Sequence, residues 1–236
     1  MELHHEPSRR RALISGRAVL LDVDGTLIRS NQAHAVAWSR AFHAHGYDVS
    51  VERILPWLGM GGDKLLGQVD PQLDPEKGTG AAIGAFRDHL FLSEYVMGLQ
   101  PTNGAKALLA RIGAAGLVRA VATSAKKPEL TALLAASRLA GEIDVAATSD
   151  DVSRSKPDAD IVHAALAKAS SRPQDAVFLG DTPYDIEAAH RAGVVAVVVR
   201  SGIWSDEDLA AAEAIFDDPA DLCERFAGSP IARLLS

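Results

Sequence analysis

The sequence has 236 residues, of which 47% are hydrophobic and 23% are charged. This composition is typical of a folded globular protein and excludes a disordered or fibrous chain. The 31 acidic residues outnumber the 24 basic ones and give a formal net charge of −7. Because this is the wrong sign for a protein held to nucleic acid by its charge, we expect no nucleic-acid partner.

Cys223 is the only cysteine, which excludes an intramolecular disulfide and a zinc site of several cysteines, and which fits a reducing compartment. The longest strongly apolar run, Val194–Val199, is far shorter than the roughly 18 to 20 residues that span a bilayer. The arginines at 9–11 are not followed by the apolar segment of a signal peptide. His4 and His5 lie in a polar arm, and this context favours a tail over a metal site. We therefore expect a cytoplasmic protein without a membrane partner, as a monomer or a homodimer.

Short apolar runs that end in turn-forming residues recur along the chain, and they predict the buried strands of a parallel sheet. These runs are Ala18–Leu21, Leu117–Ala122, Ala176–Leu179 and Val194–Val199, with a weaker strand at Ala214–Phe216. Segments of helical periodicity separate them, namely Asn103–Ala115, Lys127–Leu139, Asp158–Ala169 and Tyr184–Ala192, with a closing helix at Pro219–Phe226. This alternation predicts an α/β fold, a doubly wound, Rossmann-like parallel sheet with its ligand site at the carboxyl ends of the strands.

One long stretch interrupts the alternation. It shows helical periodicity and no convincing strand, with helices expected at Ala33–His45, Val51–Leu58, Lys64–Val69 and Ala81–Met97. The sequence therefore predicts two domains: an α/β core made of residues 1–29 and 99–236, and an inserted all-α cap domain at residues 30–98.

Polar side chains follow the predicted strands where their carboxyl ends should meet. They are Asp22, Asp24 and Thr26 after the first strand, Thr123 and Ser124 after the next, and Asp181 and Asp185 after Phe178-Leu179-Gly180. Carboxylates gathered at one place repel one another unless a cation is bound, and hard oxygen ligands favour Mg²⁺. Lys156 adds a positive charge, while the Thr123 hydroxyl and the N–H groups of Ser124 and Ala125 suit phosphate oxygens. This combination points to phosphoryl transfer.

Four segments in chain order resemble the four motifs of the haloacid dehalogenase superfamily, in its phosphatase branch. They are Asp22-Val23-Asp24-Gly25-Thr26-Leu27, Val121-Ala122-Thr123-Ser124, Ser155-Lys156-Pro157-Asp158 and Gly180-Asp181-Thr182-Pro183-Tyr184-Asp185. The resemblance covers nearly the whole chain. Within this branch the sequence resembles phosphoglycolate phosphatase and β-phosphoglucomutase, and the motifs do not decide between them.

The resemblance implies that Asp22 is the nucleophile and forms an aspartyl phosphate. Asp24 is implied as the general acid that protonates the leaving group and then as the base that activates water. The same resemblance implies that Mg²⁺ is held by the Asp22 carboxylate, the Asp24 backbone carbonyl and Asp181. Asp185 is then a more distant or water-linked ligand.

Further implied roles belong to the phosphate and to the cap. Thr123, Ser124 and Lys156 are implied to hold the phosphate, and the helical insertion is implied to be a mobile cap of the first cap type. Its glycine-rich loop Leu58–Asp63 is expected to face the active site. The block Gly61–Lys64 supplies the candidates for substrate specificity, namely Gly61, Gly62 and Lys64.

Several alternatives stay open. An aspartate at position 24 argues against dehalogenation, and Lys64 is the nearest candidate for the Schiff-base lysine of the phosphonatase branch, or is an exposed helix lysine. Relatives often carry a basic residue where this chain has Pro56-Trp57-Leu58, and an aspartate where it has Arg29. The expected function is Mg²⁺-dependent hydrolysis of a small phosphorylated metabolite. A phosphosugar mutase and a non-catalytic binding module are the alternatives.

Overall fold

The structure is a computed structural model that describes residues 16–236, so His4, His5 and the arginines at 9–11 lie outside the described residues. The described chain contains six strands: β1 (Ala18–Leu21), β2 (Val118–Ala122), β3 (Val145–Ala147), β4 (Ala176–Gly180), β5 (Val195–Val199) and β6 (Ala214–Phe216). Its α-helices are α1 (Asn31–Ala44), α2 (Val51–Ile54), α3 (Gly62–Val69), α4 (Gly78–Leu90), α5 (Ala105–Ala114), α6 (Lys127–Ala136), α7 (Asp160–Ala169), α8 (Pro183–Arg191), α9 (Pro219–Glu224) and α10 (Pro230–Arg233).

All six strands are parallel and form one sheet in the order β3-β2-β1-β4-β5-β6. The order reverses at β1, as it does in a doubly wound sheet, and places the ligand crevice beside the carboxyl end of that strand. The predicted fold class is therefore confirmed. The edge strand β3 was not predicted, because Val145-Ala146-Ala147 is only three residues long and two of them are alanines, which carry little hydrophobicity.

Helices cover both faces of the sheet, which explains why its strands are apolar throughout. Alternate residues of β1 point to opposite sides: Val19 and Leu21 belong to one buried cluster, and Ala18 and Leu20 belong to the other. All four side chains are fully buried. With its backbone held between β2 and β4 and both faces packed, β1 is a rigid base for the residues that follow it.

Helices α1 to α4 lie between β1 and α5 and have a hydrophobic cluster of their own. Trp38 and Phe42 of α1 stack in it at a ring-centroid distance of 5.7 Å, and Ile54, Leu65 and Ile83 pack around them. The helical character expected for residues 30–98 is present. The last predicted helix ends early, however, because α4 stops at Leu90 and continues as a π-helical turn and a 3-10 turn.

The two connections between the helical insertion and the sheet run side by side. The Arg29 N–H donates to the Gln100 carbonyl at 3.0 Å, and the Thr102 N–H donates to the Leu27 carbonyl at 2.9 Å. The chain thus leaves and re-enters the core at one place, as a hinge requires. The boundaries at residues 30 and 98 stay a prediction. Among residues 16–236, no helix is both long enough and apolar enough to cross a membrane.

Candidate active site

The carboxyl ends of the three central strands bring the first, second and fourth predicted motifs together. Leu21 of β1 lies opposite both Val121 of β2 and Leu179 of β4, so the residues that follow these strands are neighbours. The Asp22 N–H donates to the Leu179 carbonyl at 2.9 Å, which extends the ladder by one residue. Asp181 lies two residues after Leu179.

Three buried carboxylates meet at this place. Asp22, Asp181 and Asp185 each present an oxygen within 4.8 Å of the other two. The Thr26 hydroxyl lies between two of them, at 3.4 Å from Asp22 Oδ2 and 3.2 Å from Asp181 Oδ1. Asn31 Nδ2 donates to Asp181 Oδ2 at 3.1 Å. The structure therefore gathers these predicted acidic residues into one centre.

Lys156 is the cation inside this centre. Its side chain is fully buried, and Nζ lies 2.5 Å from Asp22 Oδ1 and 2.8 Å from Asp185 Oδ1. Burial alone would lower the pKa of Lys156, but the carboxylates of Asp185 and Asp22 outweigh it and raise the pKa above its usual value. Lys156 is therefore charged throughout the physiological range.

Asp185 is already almost fully engaged by protein groups. It forms a capping box with Thr182 at the start of α8, where its Oδ2 accepts the Asp181 and Thr182 N–H groups at 3.2 and 3.1 Å. The Thr182 hydroxyl also reaches Oδ2, at 2.8 Å. Since Oδ1 accepts from Lys156, little of this carboxylate is left for direct ligation. Asp22 and Asp181 are the freer pair.

The donor set fits a divalent cation. Burial raises the pKa of Asp22 to about 7, with Asp185 and Asp24 adding to the rise and Lys156 opposing it. Burial, together with the charges of Asp22 and Asp185, raises the pKa of Asp181 well above its usual value. One lysine thus does not offset three buried carboxylates, and a metal ion beside Asp22 and Asp181 would supply the missing positive charge. Gly25 (φ +83°) lets the backbone pass close to Asp181, since a Cβ there would lie 2.1 Å from Asp181 Oδ2.

Asp24 lies in a different environment from Asp22. Its Oδ1 is 2.5 Å from the Ser30 hydroxyl and 2.7 Å from His34 Nε2. Burial would raise the pKa of Asp24, but its contacts with His34 and Ser30 and the charge of Arg87 lower it to about 2. The pKa values of the two carboxyl groups of the first motif are therefore shifted in opposite directions. Such a divergence is typical of active sites in which two carboxyl groups have different roles.

A buried chain of polar side chains continues behind Asp24. Arg87 of α4 contacts His34 Nδ1, and its Nη1 lies 2.5 Å from Glu129 Oε2 of α6. Because a guanidinium can only donate, His34 accepts at Nδ1 and donates from Nε2 to Asp24. Sequence reasoning missed this network. The position of His34, in the first turn of α1, was a usable signal, but Arg87 and Glu129 are 42 residues apart and carry no motif.

A cavity of about 340 Å³ opens between the sheet and the helical insertion. The core contributes Asp22, Asp24, Thr123 and Ser124, and the insertion contributes Gly59, Met60, Gly62 and Asp63. These contributions agree with the expectation that the glycine-rich loop faces the active site. The Ala125 N–H, expected to be free for phosphate, instead donates to Thr123 Oγ1 at 3.0 Å.

The three specificity candidates of the insertion are placed differently from one another. Gly62 lines the cavity, whereas Gly61 packs against Ser155. Lys64 Nζ donates to the carbonyl of Ser155, a residue that lines the cavity, at 2.7 Å and to Asp158 Oδ2 at 2.5 Å, and Lys64 itself is not a lining residue. Arg29, at the other departure from the family pattern, has an exposed side chain.

The family profile described as haloacid dehalogenase-like hydrolase matches residues 19–199. The chain belongs to this family. Its relatives include the validoxylamine A 7'-phosphate phosphatase of Streptomyces hygroscopicus subsp. limoneus, 30% identical over 86% of this chain and 93% of that protein. They also include a phosphoglycolate phosphatase of Rhodospirillum rubrum, 30% identical over 87% of this chain and 89% of that protein.

Among solved structures, a hydrolase from Pseudomonas syringae superposes with a TM-score of 0.83 at 27% identity, covering 90% of this chain and 98% of that one. The predicted family and fold are confirmed by these matches. The haloacid dehalogenase-like hydrolase is an enzyme, and the two named relatives are phosphatases, which confirms the predicted class of phosphate-ester hydrolase.

Proposed function

We propose that this haloacid dehalogenase-like hydrolase cleaves the phosphate monoester of a small metabolite with Mg²⁺ and through a phosphoryl group carried on Asp22. The observation that carries the proposal is the centre at the carboxyl end of β1, where Asp22, Asp181 and Asp185 lie within 4.8 Å of one another around buried Lys156. Two relatives are named for phosphatase activity on small phosphorylated compounds, which supports the substrate class.

The metal would be held by the Asp22 carboxylate, Asp181 and the Asp24 backbone carbonyl, with Asp185 linked through water. A bound Mg²⁺ neutralises phosphate charge and so lets an anionic nucleophile approach phosphorus. Oxygen ligands alone, in a site with few protein donors, favour Mg²⁺ over softer metals. Lys156 adds a second positive charge beside Asp22 Oδ1.

The chain's own residues account for both halves of the reaction. An Asp22 carboxylate oxygen attacks phosphorus, the ester P–O bond breaks, and the departing oxygen takes a proton from the Asp24 carboxyl group. In the second half Asp24, now a carboxylate, takes a proton from water. The water oxygen bonds to phosphorus, the bond from phosphorus to Asp22 breaks, and the Asp22 carboxylate is regenerated.

The environment of Asp24 suits this exchange. Hydrogen bonds from Ser30 and His34 hold it as the carboxylate, the form that the second half needs. A dianionic phosphate bound beside Asp24 raises its pKa, because a like charge disfavours ionisation, and so favours uptake from solvent of the proton that Asp24 donates in the first half. Thr123 and Ser124 lie on the cavity wall, where they would hold the phosphate oxygens.

The cavity sets the size of the leaving group. About 340 Å³ accommodates a small metabolite, and the helical insertion, acting as the proposed mobile cap, closes it from above. Gly61, Gly62 and Lys64 belong to the cap surface that meets the core.

The lone cysteine supports the proposed cytoplasmic compartment.

The proposal is tested with a panel of phosphate esters, assayed for released phosphate with Mg²⁺ or with chelator. We expect turnover that requires Mg²⁺ and that Asp22→Asn abolishes, whereas Asp48→Asn, at a side chain that is 98% exposed, leaves it unchanged. Unchanged turnover in Asp22→Asn contradicts the proposal. With β-glucose 1-phosphate, free phosphate identifies a phosphatase and glucose 6-phosphate identifies a mutase.

A further inference from the structure

One segment of the helical insertion touches three loops of the core that carry predicted motif residues. The segment is Pro56–Lys64. Its Pro56 carbonyl accepts a hydrogen bond at 2.7 Å from the hydroxyl of Tyr184, a residue of the fourth motif. The Gly59 carbonyl accepts from the Ser124 hydroxyl at 3.4 Å. The third contact, from Lys64 to the loop of Lys156, is the strongest of the three because both of its hydrogen bonds have a charged donor.

Lys64 holds the residue directly before Lys156. Its Nζ donates to the Ser155 carbonyl at 2.7 Å and to Asp158 Oδ2 at 2.5 Å, with the Lys64 side chain 30% exposed. The Ser155 carbonyl and the Lys156 N–H belong to one planar peptide unit. Fixing that carbonyl therefore fixes the plane from which the Lys156 side chain starts.

The backbone of the same segment presses on Ser155 as well. A Cβ built on Gly61 would lie 2.0 Å from Ser155 Oγ and 2.2 Å from its Cβ, so only glycine allows this approach. Ser155 is buried. Ser155 is thus held by the backbone at Gly61 and by the ammonium group of Lys64.

Precise placement matters because Lys156 has a long side chain and a narrow target. Its Nζ must stay within hydrogen-bond distance of Asp22 Oδ1 and Asp185 Oδ1 together, at 2.5 and 2.8 Å. Lysine has four rotatable side-chain bonds, so a loosely held backbone would let the ammonium group leave one carboxylate for the other.

We propose that Lys64 is a positioning residue, which holds the Ser155–Asp158 turn from the cap and so keeps Lys156 between Asp22 and Asp185. The proposal rests on the proposed function and deepens it. It couples closure of the cap to the placement of Lys156 between Asp22 and Asp185. Lys64 itself then touches neither the substrate nor the reacting atoms.

The loss of Lys64 leaves no uncompensated charge. Asp158 Oδ1 has further cationic neighbours in Arg191 at 3.4 Å and Arg154 at 3.6 Å, and both Lys64 and Asp158 are partly exposed. A Lys64→Met variant is therefore expected to fold. Lys168→Met is the matched control, since Lys168 Nζ also contacts one carbonyl, that of Ala146 at 2.8 Å, and one carboxylate, that of Asp151 at 2.7 Å, and none of these three residues lines the cavity.

The test compares Lys64→Met, Lys64→Arg and Lys168→Met with the unaltered chain in Mg²⁺-dependent hydrolysis of p-nitrophenyl phosphate. Because a misplacement of about 1 Å costs about 100-fold, we expect Lys64→Met to lose 10- to 100-fold in kcat with KM changed less than about threefold. Lys64→Arg should regain most of kcat, since a guanidinium can also reach both acceptors. An unchanged kcat, a loss confined to KM, or a loss that arginine does not restore overturns the proposal.

Hydrogen–deuterium exchange gives a readout that needs no turnover. The peptide that contains Ser155–Asp158 should exchange faster in Lys64→Met than in the unaltered chain and in Lys168→Met. Equal exchange overturns the positioning role whatever the activity. If the unaltered chain turns over no phosphate ester but exchange in this peptide rises, the proposed function fails and the positioning role stands.

Discussion

Replacement of Lys156 by methionine tests the charge balance of the centre through stability alone. The side chain is fully buried, with Nζ bonded to Asp22 and Asp185, and methionine keeps most of its volume without the charge. What changes is electrostatic: two buried carboxylates lose their common partner, beside a third at Asp181.

The expected cost follows from that environment. Removing one partner of a buried ion pair costs about 3–5 kcal/mol, because the remaining charge stays desolvated. For a chain of this length, each kcal/mol lowers the melting temperature by about 2–4 °C, so the variant should melt about 6–20 °C lower. Lys168→Met, which removes a partly exposed pair with Asp151, should cost at most about 1 kcal/mol.

The assay is denaturation in chelator, at neutral pH and again near pH 4. The deficit of Lys156→Met should shrink at the lower pH, because Asp22, whose pKa is raised to about 7, is protonated there and needs no counter-ion. It should also shrink when Mg²⁺ is added. A loss no larger than that of Lys168→Met, or a deficit independent of pH, would refute the electrostatic reasoning.

Three further predictions concern Asp22, Asp24 and the Arg87–Glu129 pair. The pKa of Asp22 is raised to about 7 on folding, so the folded metal-free chain binds the Asp22 proton more tightly than the unfolded chain does. The free energy of unfolding should therefore fall as pH rises from about 4 to about 7. An increase in stability over that range in chelator would count against the burial argument. Asp24→Asn should lower the rate of leaving-group release in the first turnover about 10²- to 10⁴-fold for an alkyl phosphate and less for p-nitrophenyl phosphate, whose leaving group needs no proton. Equal losses in this step would be inconsistent with its role as the acid. Arg87→Met should lower the free energy of unfolding by about 3–5 kcal/mol, because buried Glu129 loses its partner. Adding Glu129→Gln to this variant should recover part of the loss. If the effects of the two substitutions simply add, the pair does not stabilise the fold as argued.

The sheet and the acidic centre could be predicted because their signals are local. Each central strand is a short apolar run that ends directly at a polar residue, so Asp22, Thr123 and Asp181 follow from strand order alone. The edge strand β3 was missed because only three residues of modest hydrophobicity form it. Helix ends were misplaced by a few residues, as where α6 stops at Ala136 and Arg138 turns back with φ +58°.

Contacts between the helical insertion and the core could not be predicted, because they join residues far apart in the chain. Taken separately, Arg87 and Glu129 have the pattern of ordinary charged helix residues. Only the hydrogen bonds of buried Arg87 show that it joins Glu129 to His34. Lys64 was a specificity candidate by position, yet its ammonium group is directed at Ser155 and Asp158. Tertiary packing, which no local pattern records, decides these partners.

The central claim is that Asp22 carries the phosphoryl group. The most direct test is mass spectrometry of the trapped protein. The chain is mixed with Mg²⁺ and a phosphate ester that it hydrolyses, and it is denatured in acid within the first turnover. The account predicts an added phosphoryl group on the peptide that contains Asp22, removed by hydroxylamine and absent in Asp22→Asn. A phosphoryl group on any other residue, or none while hydrolysis continues at full rate, would contradict it.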